Sequence, residues 1–307
     1  MSGQSGQMSK RDWGILLLLS VVWGGSFFFI EIGLQSVAPL TLVLIRVSLA
    51  AAALWLFVSI RGQKAKLPPE ALLAFLFLAL LNNVFPFMLF AYGQTEIASG
   101  LASILNATTP IWGVVVAHIF TKDERMTPAK VAGVLLGFGG VAVMIGADFL
   151  REIGAQVAAQ VACLMATFCY ALAGVFARRF RRMGVEPVMV ATGQLTAATL
   201  VMLPLVLIFD QPWNAGAPSA QSWAALIALA LICTSFAYIL YFKLLASAGA
   251  TNSLLVTFLI PITAILLGAV ILGEVLELRH FAGMALIGCG LAAIDGRLLR
   301  LGRPARA

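Results

Sequence analysis

Ten apolar segments follow one another along the chain, each close to the length that a helix needs to cross a lipid bilayer. A span of about 20 mostly apolar residues crosses the hydrocarbon core, and the short stretches between these segments leave no room for a soluble domain. The sequence therefore predicts an all-α integral membrane protein with ten transmembrane helices. The predicted spans are Trp13–Ile32, Leu40–Ile60, Glu70–Tyr92, Ile97–Phe120, Pro128–Gly146, Ile153–Ala177, Pro187–Phe209, Gln221–Leu245, Thr251–Leu272 and Arg279–Asp295.

The composition argues against a water-soluble fold. Of the 307 residues, 61% are hydrophobic and only 11% are charged, whereas a soluble domain is about 45–50% apolar and about 25% charged. The formal net charge of +7 would raise the question of nucleic acid in a soluble protein. Here the lipid bilayer is the expected partner, and no nucleic-acid partner is expected.

The Lys and Arg residues predict the orientation of the chain in the membrane. If the N-terminus is cytoplasmic and the spans alternate, every Lys and Arg except Arg46, Arg151 and Arg279 falls on the cytoplasmic side. Cytoplasmic loops of membrane proteins carry an excess of these residues. We therefore expect both the N-terminus and the C-terminus in the cytoplasm.

A long stretch of the chain occurs twice, once from Ala98 to Val143 and again from Gly249 to Ile294. Each copy has an apolar span with a central proline, a short charged turn and a glycine-rich apolar span. Such internal similarity predicts two repeats, which we place at residues 1–147 and 148–307. The equivalent pairs are Pro110 with Pro261, Glu124 with Glu274, Gly133 with Gly283 and Gly140 with Gly290.

Each predicted repeat has five spans, so the second repeat enters the membrane from the opposite side. Inverted repeats are typical of secondary transporters, which bind their substrate near the midplane between the repeats and expose it to one side at a time. The sequence therefore predicts a carrier of small molecules that works by alternating access. The glycine-rich fifth and tenth spans are expected either to pack together or to form a dimer interface.

A set of short motifs accompanies these spans. They are Trp-Gly-Gly-Ser-Phe-Phe at residues 23–28, Pro39 followed by Arg46, the mid-span Pro110 and Pro261, the Gly273–Glu274 pair and the glycines of the fifth and tenth spans. In this order they resemble the EamA-type, ten-helix family of the drug/metabolite transporter (DMT) superfamily, over nearly the whole chain. The first repeat departs from the pattern, because its turn reads Lys-Asp-Glu where the second reads Gly-Glu.

The resemblance is strongest to the aromatic amino-acid exporters of that superfamily. It implies a protein of the bacterial inner membrane that exports amino acids, aromatic ones included, and related small metabolites. The chain is expected to act as a monomer or a weak homodimer.

Polar stripes predict which helix faces line the cavity, because polar groups in a bilayer are costly unless they face protein or water. Ser103, Asn106 and Pro110 share one face of the fourth span, and Thr257 and Pro261 share the equivalent face of the ninth. A mid-span proline frees the carbonyl one turn earlier and permits a kink. Asn106 and Thr257 therefore either contact the substrate or stabilise the kinked helices by hydrogen bonds.

Other spans contribute further cavity candidates with polar or aromatic side chains. Aromatic rings that carry a polar group suit amphipathic or aromatic ligands, whereas Tyr and Trp near span ends are more often anchors at the membrane interface. We expect Tyr92 and Tyr241 to be such anchors. Of the adjacent Asn82 and Asn83, only one can face the cavity. The remaining candidates are Asn82, Thr234, Tyr238, Tyr170, Trp23 and Ser26.

Two ionisable residues are candidates for gating or coupling. Arg46 lies inside the second span, where it could attract a substrate carboxylate, pair with Glu31 or Glu96 as an outer gate, or serve as a structural arginine bonded to carbonyls. His118, near the end of the fourth span, could couple transport to protons or simply lie at the interface.

No catalytic residues, cofactor or metal ligands are predicted. The chain has no G-x-S-x-G and no H-E-x-x-H motif, no carboxylate lies deep in a span, and the four cysteines form no C-x-x-C pair. We therefore expect a transporter and not an enzyme. The alternatives are an exporter of multiple drugs or cationic compounds, which would favour deep acidic groups, and a non-transporting scaffold or lipid scramblase, which would favour a groove open to lipid.

Overall fold

The computed structural model describes residues 8–62, 68–145, 156–214, 216–267 and 277–295, and these residues are helical, with no β-strand among them. The α-helices are α1 (Lys10–Leu34), α2 (Pro39–Ile60), α3 (Pro69–Ala79), α4 (Phe85–Glu96), α5 (Ser99–Asn106), α6 (Thr109–Phe120), α7 (Pro128–Ile145), α8 (Val157–Arg182), α9 (Pro187–Leu205), α10 (Ala220–Ala230), α11 (Ala237–Leu254), α12 (Val256–Leu267) and α13 (Leu278–Asp295). The π-helical segments are π1 (Leu80–Val84), π2 (Val206–Asp210) and π3 (Leu231–Phe236), and Pro212–Asn214 forms a 3₁₀ turn.

The helical stretches have the length and apolarity of membrane spans. Seven stretches in the described part of the chain meet both conditions, and two shorter apolar helices, Pro128–Met144 and Leu278–Ile294, accompany them. Large apolar side chains such as Leu56, Leu72 and Phe209 are exposed on the outside of the bundle, where a lipid environment would cover them. The protein is an all-helical, multi-pass membrane protein.

Prolines define where several helices begin. Pro39, Pro69, Pro128 and Pro187 each stand at the first position of a helix, where the missing N–H is not needed and the fixed φ suits the helix. Helix α1 begins differently, with Ser9 and Asp12 forming a reciprocal pair of hydrogen bonds that caps its N-terminus. These local signals account for helix starts at both ends of the bundle.

Helices α7 and α13, from the predicted fifth and tenth spans, cross at glycines. A Cβ atom on Gly133 would lie 2.7 Å from the carbonyl oxygen of Gly290, and one on Gly140 would lie 2.7 Å from the carbonyl oxygen of Gly283. Small residues allow backbones in membranes to approach this closely. The expectation that these two spans pack together is confirmed.

The glycine crossing is symmetric with respect to the sequence repeat. Gly133 is the repeat equivalent of Gly283, and Gly140 is the equivalent of Gly290. Exchanging the two copies therefore turns the Gly133–Gly290 contact into the Gly283–Gly140 contact. An isologous contact of this kind is what a twofold axis produces. Glu274, the predicted partner of Glu124, lies outside the described residues.

Candidate functional site

A cavity lies between the helices at the middle of the bundle, and both halves of the chain contribute to its wall. The space between its walls is about 720 Å³, counted together with its open end. Its wall is mostly aromatic and aliphatic with a few polar groups. The lining residues are Trp23, Ser26, Phe27, Ile30, Arg46, Asn82, Phe87, Phe90, Asn106, Thr109, Tyr170, Tyr238, Tyr241, Leu254, Val256, Thr257 and Ile260.

Two π-helical segments lie beside this cavity, and π1 places Asn82 in its wall. Segment π1 interrupts the third span at Asn82 and Asn83, and segment π3 interrupts the eighth span at Thr234. Such segments carry one extra residue in a turn and occur frequently at functional sites. They lie at similar positions in the two halves, so the repeat extends to this local irregularity.

Tyr238, two residues after the end of π3, connects the eighth span to π1. Its hydroxyl donates to the carbonyl oxygen of Asn82 at 3.2 Å and accepts a hydrogen bond from the side-chain amide of Asn83 at 3.0 Å. Asn82 lines the cavity while Asn83 does not, which agrees with the expectation that only one of them could. The hydroxyl of Tyr238 thus bridges the third and eighth spans of the two halves.

Each π segment also forms a side-chain hydrogen bond to the other half of the chain. The amide of Asn82 donates to Gln194 on α9 at 3.1 Å. The Nε–H of Arg46 on α2 donates to the hydroxyl of Thr234 at 2.9 Å. The first bond joins the third span to the seventh, and the second bond joins the eighth span to the second. These two connections are equivalent when the repeats are exchanged, so the buried bonds form a symmetric pair.

Aromatic rings pack along the wall of the cavity. The indole of Trp23 lies against Tyr238 and Tyr241, at centroid distances of 6.5 and 5.6 Å, and its N–H donates to the carbonyl oxygen of Cys233 in π3 at 3.1 Å. Tyr170 stacks on Phe90 at a centroid distance of 6.1 Å. Edge and stacked contacts of this kind are favourable beyond the area they bury, and they make the wall rigid.

The fourth span is broken next to its proline. Helix α5 ends at Asn106 and α6 begins at Thr109, and the Thr109 hydroxyl donates to the carbonyl oxygen of Asn106 at 2.6 Å. The carbonyl freed by Pro110 is therefore occupied within its own chain segment. In the ninth span Pro261 lies inside α12, and the Thr257 hydroxyl donates to Leu254 at 2.9 Å.

Most of the predicted site residues come together in this cavity. Five do not line it. Thr234 lies behind Arg46, Ser103 is partly exposed and donates to the carbonyl oxygen of Gly100 at 2.8 Å, and His118 is near the turn after α6. The two kink prolines, Pro110 and Pro261, also lie outside its wall. The predicted residues that line the cavity are Trp23, Ser26, Arg46, Asn82, Asn106, Tyr170, Tyr238 and Thr257.

The expectation for Tyr241 was wrong. Its side chain is 4% exposed and lines the cavity, whereas Tyr92 is 48% exposed. The eighth span continues to the kink at Gly249, so Tyr241 lies roughly 12 Å from that end along the helix. Phe87 and Phe90 were also missed, because apolar aromatic residues in an apolar span carry no sequence signal that separates a cavity wall from a lipid face.

At one end of the bundle, the turn after α6 is bound to the second half of the chain. The Glu124 carboxylate accepts the N–H groups of Ala250 at 3.1 Å and Thr251 at 2.9 Å, and it accepts the Thr251 hydroxyl. Arg178 on α8 contacts Glu124 at 3.4 Å and donates to Asp123. We refer to these five residues as the Glu124 latch.

The backbone at Gly249 makes room for the Glu124 latch. Gly249 has φ +85°, a conformation that residues with a side chain rarely adopt. A Cβ atom there would lie 2.8 Å from a Glu124 carboxylate oxygen. The helix that restarts at Ala250 presents its free N–H groups and the positive end of its dipole to that carboxylate. The hydrogen bond from Arg178 holds the pKa of the Asp123 carboxyl below its usual value.

No acidic side chain among the described residues pairs with Arg46. Glu31 and Glu96, the partners considered for an outer gate, are both exposed, and the ion pairs of the described residues are Arg178 with Asp123 and Glu124, and Arg279 with Glu277. The described residues also include no group of three or more His, Cys, Asp or Glu that could hold a metal ion.

Residues 12–146 and 158–294 each match the EamA-like transporter family. The chain belongs to this family. One match lies in each half of the chain. The predicted membership of the drug/metabolite transporter superfamily is therefore confirmed, and the relatives of this chain point to transport and not to catalysis.

Curated relatives cover nearly the full length of the chain. An uncharacterized transporter of Bacillus subtilis, YoaV, is 23% identical over 90% of this chain and 94% of its own. A probable terminal-alkyne amino-acid exporter of Streptantibioticus cattleyicolor is 28% identical over 95% and 96%. A probable amino-acid metabolite efflux pump of Salmonella typhimurium is 26% identical over 92% and 94%. A solved crystal structure shares the fold, with a TM-score of 0.75 at 19% identity over 94% of this chain and 99% of that one.

Proposed function

We propose that this protein is a secondary transporter that exports amino acids, aromatic ones included, and related small metabolites across the inner membrane of a bacterium. It has ten spans in two inverted repeats, 1–147 and 148–307, with both termini in the cytoplasm, and it works by alternating access. The observation that carries the proposal is the central cavity, whose wall combines Asn106 and Thr257 from equivalent kinked spans of the two repeats.

The symmetry of the helix contacts supports two repeats that move against each other. The glycine crossing of α7 and α13 maps onto itself when the repeats are exchanged. The bonds Asn82–Gln194 and Arg46–Thr234 join pairs of spans that exchange places. Transporters built from inverted repeats reach their two states by exchanging the conformations of the repeats around a fixed site. Contacts that recur in both repeats are the ones that such an exchange preserves.

The Glu124 latch suits the closed end of a carrier. It lies on the side that the Lys and Arg distribution assigns to the cytoplasm, and it joins the turn of the first repeat to the broken helix of the second. Nearby, the Ser247 hydroxyl donates to Asp12 at 2.6 Å and ties α11 to α1. These hydrogen bonds support the proposal that the protein closes at this end, and opening there would break them.

The substrate class rests on the cavity wall and on two relatives. Trp23, Tyr170, Tyr238 and Tyr241 give the cavity aromatic faces with polar groups at their edges, and the relatives from Streptantibioticus and Salmonella carry the names of a probable amino-acid exporter and a probable amino-acid metabolite efflux pump. A small-molecule substrate and the lipid bilayer are then the partners. We propose that no cofactor takes part and that the functional form is a monomer or a weak homodimer.

Initial rates of uptake of labelled amino acids into proteoliposomes test this proposal. We expect saturable uptake of aromatic amino acids, reduced severalfold by Asn106→Ala and by Tyr238→Phe, because both remove polar groups at the cavity. Asn214→Ala, in an exposed loop, and Tyr92→Phe, on the outer surface, are matched controls that should leave the rate unchanged.

Parallel assays with and without a pH gradient test the coupling. If uptake depends on the pH gradient and His118→Gln removes that dependence, the coupling is assigned to His118, even though His118 lies outside the cavity. No saturable flux of any amino acid would overturn the amino-acid proposal. Flux of cationic drugs or of lipids in that case would favour the multidrug or the scramblase alternative.

A further inference from the structure

The cavity contains a buried positive charge. Arg46 lines the cavity, is only 6% exposed, and lies seven positions after Pro39, where α2 begins. This corresponds to a depth of roughly 10 Å along the helix. A charged group at such a depth is costly and usually marks a substrate pathway or a paired structural contact. The contacts of the guanidinium separate these two explanations.

The protein contacts of Arg46 are all neutral. Its Nε–H donates to the Thr234 hydroxyl at 2.9 Å, and its Cζ atom lies 3.6 Å from the centroid of the Phe87 ring. No carboxylate among the described residues pairs with it, and its two terminal nitrogens have no acceptor in that part of the chain. A purely structural arginine would bond to carbonyl oxygens with these nitrogens. Here two donor groups are left for a ligand.

Thr234 fixes the direction in which the guanidinium points. Its hydroxyl hydrogen is used in a bond to the carbonyl oxygen of Leu229 at 2.7 Å, so its lone pair is available to accept the Nε–H of Arg46. With Nε held and Phe87 against one face, the planar group keeps its terminal N–H donors in one orientation. Thr234 is therefore a positioning residue.

We propose that Arg46 binds a carboxylate of the transported molecule, so that the substrates are monocarboxylates or zwitterions with an aromatic or apolar body. A guanidinium presents paired donors that match a carboxylate, and the lining residues include no Asp or Glu to compete. The substrate itself then supplies the missing counter-ion, and the aromatic wall contacts its side chain. This inference rests on the proposed function and disfavours cationic compounds.

Competition against labelled phenylalanine uptake tests the inference. Unlabelled phenylalanine and 3-phenylpropionate carry the carboxylate, whereas phenylalanine amide and phenethylamine lack it. We expect the first two to compete at least about tenfold more strongly than the last two, because a site built to bind a polar group rejects analogues without it. Equal competition by the amide or the amine would overturn the proposal.

Variants of Arg46 give the second arm of the test. Arg46→Gln should weaken competition by the carboxylates about tenfold or more and remove their advantage over the amide, and Arg46→Lys should retain part of it. Thr234→Val should weaken carboxylate competition less than Arg46→Gln does. The matched control is Arg61→Gln, which removes an exposed arginine that also lies over an aromatic ring, Phe57 at 4.6 Å. Unchanged carboxylate selectivity in Arg46→Gln would contradict the assignment.

Calorimetry separates failure of this inference from failure of the proposed function. If wild-type protein transports no amino acid, binding of phenylalanine and 3-phenylpropionate is measured with the purified protein in detergent. Carboxylate binding that disappears in a folded Arg46→Gln variant, checked by its thermal unfolding, would support the subsite without transport. Absence of carboxylate binding to the wild-type protein would overturn it.

Discussion

The carboxylate of Glu124 accepts the backbone N–H of Thr251 at 2.9 Å, although the two residues are 127 positions apart. One belongs to the charged turn of the first copy of the repeated stretch, and the other begins the second copy. The side chain thus caps a helix that its own half of the chain does not contain. This contact makes the Glu124 latch a direct link between the two repeats.

Removing the cap should weaken this link. Glu124→Ala leaves the N–H groups of Ala250 and Thr251 without their acceptor, and loss of a helix cap costs about 0.5–2 kcal/mol. We expect a lower midpoint of thermal unfolding in detergent and faster alkylation, from the cytoplasmic side, of a cysteine introduced at Thr257 in a background without other cysteines. Glu96→Ala, at an exposed position, is the control. Unchanged alkylation in Glu124→Ala would show that the latch does not close the cavity.

The ion pair of Asp123 with Arg178 should be insensitive to mild acid. The hydrogen bond from Arg178 lowers the pKa of Asp123 in the folded protein, so the stability it contributes is fully present above the unfolded value of about 3.9. That stability is lost only as pH falls through the lower folded value. The difference in unfolding midpoint between wild type and Asp123→Asn should therefore stay constant from about pH 5 to pH 8. A difference that disappears within this range would refute the assignment.

The glycine crossing should tolerate a methyl group at one position and not at its neighbour. A Cβ atom on Gly140 would lie 2.7 Å from the carbonyl oxygen of Gly283, whereas a Cβ atom on Gly139 would have no atom within 4 Å. Gly140→Ala should cost about 1–3 kcal/mol through overpacking, measured as a lower unfolding midpoint, and Gly139→Ala should have little effect. Equal effects of the two substitutions would argue against the close approach of α7 and α13.

The indole N–H of Trp23 should matter for transport. It satisfies the carbonyl oxygen of Cys233 in π3 at 3.1 Å, and a buried carbonyl that loses its donor costs about 1–3 kcal/mol. Trp23→Phe should therefore reduce the uptake rate severalfold. Trp55→Phe is matched to it, because Trp55 also donates its indole N–H, to Thr196 at 2.9 Å, but at an exposed site away from the cavity. A rate that falls equally in both variants would point to a general loss of stability.

The parts of the structure that follow from periodicity could be predicted from the sequence. The apolar segments gave the helices, and the repeated glycines gave the contact between α7 and α13, because close packing in a membrane needs small residues wherever backbones touch. Trp23, Asn106 and Tyr238 were expected at the cavity for a similar reason, since polar groups inside apolar spans have few other places to go.

The remaining errors have a local cause. Thr234 was expected in the cavity wall together with Tyr238, but segment π3 ends at Phe236, between these two residues. One extra residue in a turn rotates the preceding residues by about 100°, so Thr234 lies behind Arg46 instead of facing the cavity. Ser103 lies on α5 about one turn before Asn106, where it is partly exposed and bonds to the carbonyl oxygen of Gly100 instead of lining the cavity. Segment π3 contains no proline or glycine that would mark this interruption in the sequence.

Counterflow tests the central claim most directly, because it separates a carrier from a channel or a scaffold. Proteoliposomes are loaded with unlabelled phenylalanine and diluted into a trace of labelled phenylalanine. Alternating access around one central site predicts that the label accumulates transiently above its external concentration and then declines, and that Tyr238→Phe reduces this overshoot. Equilibration of the label without an overshoot would contradict alternating access, and no entry of label for any amino acid would contradict the assigned substrate class.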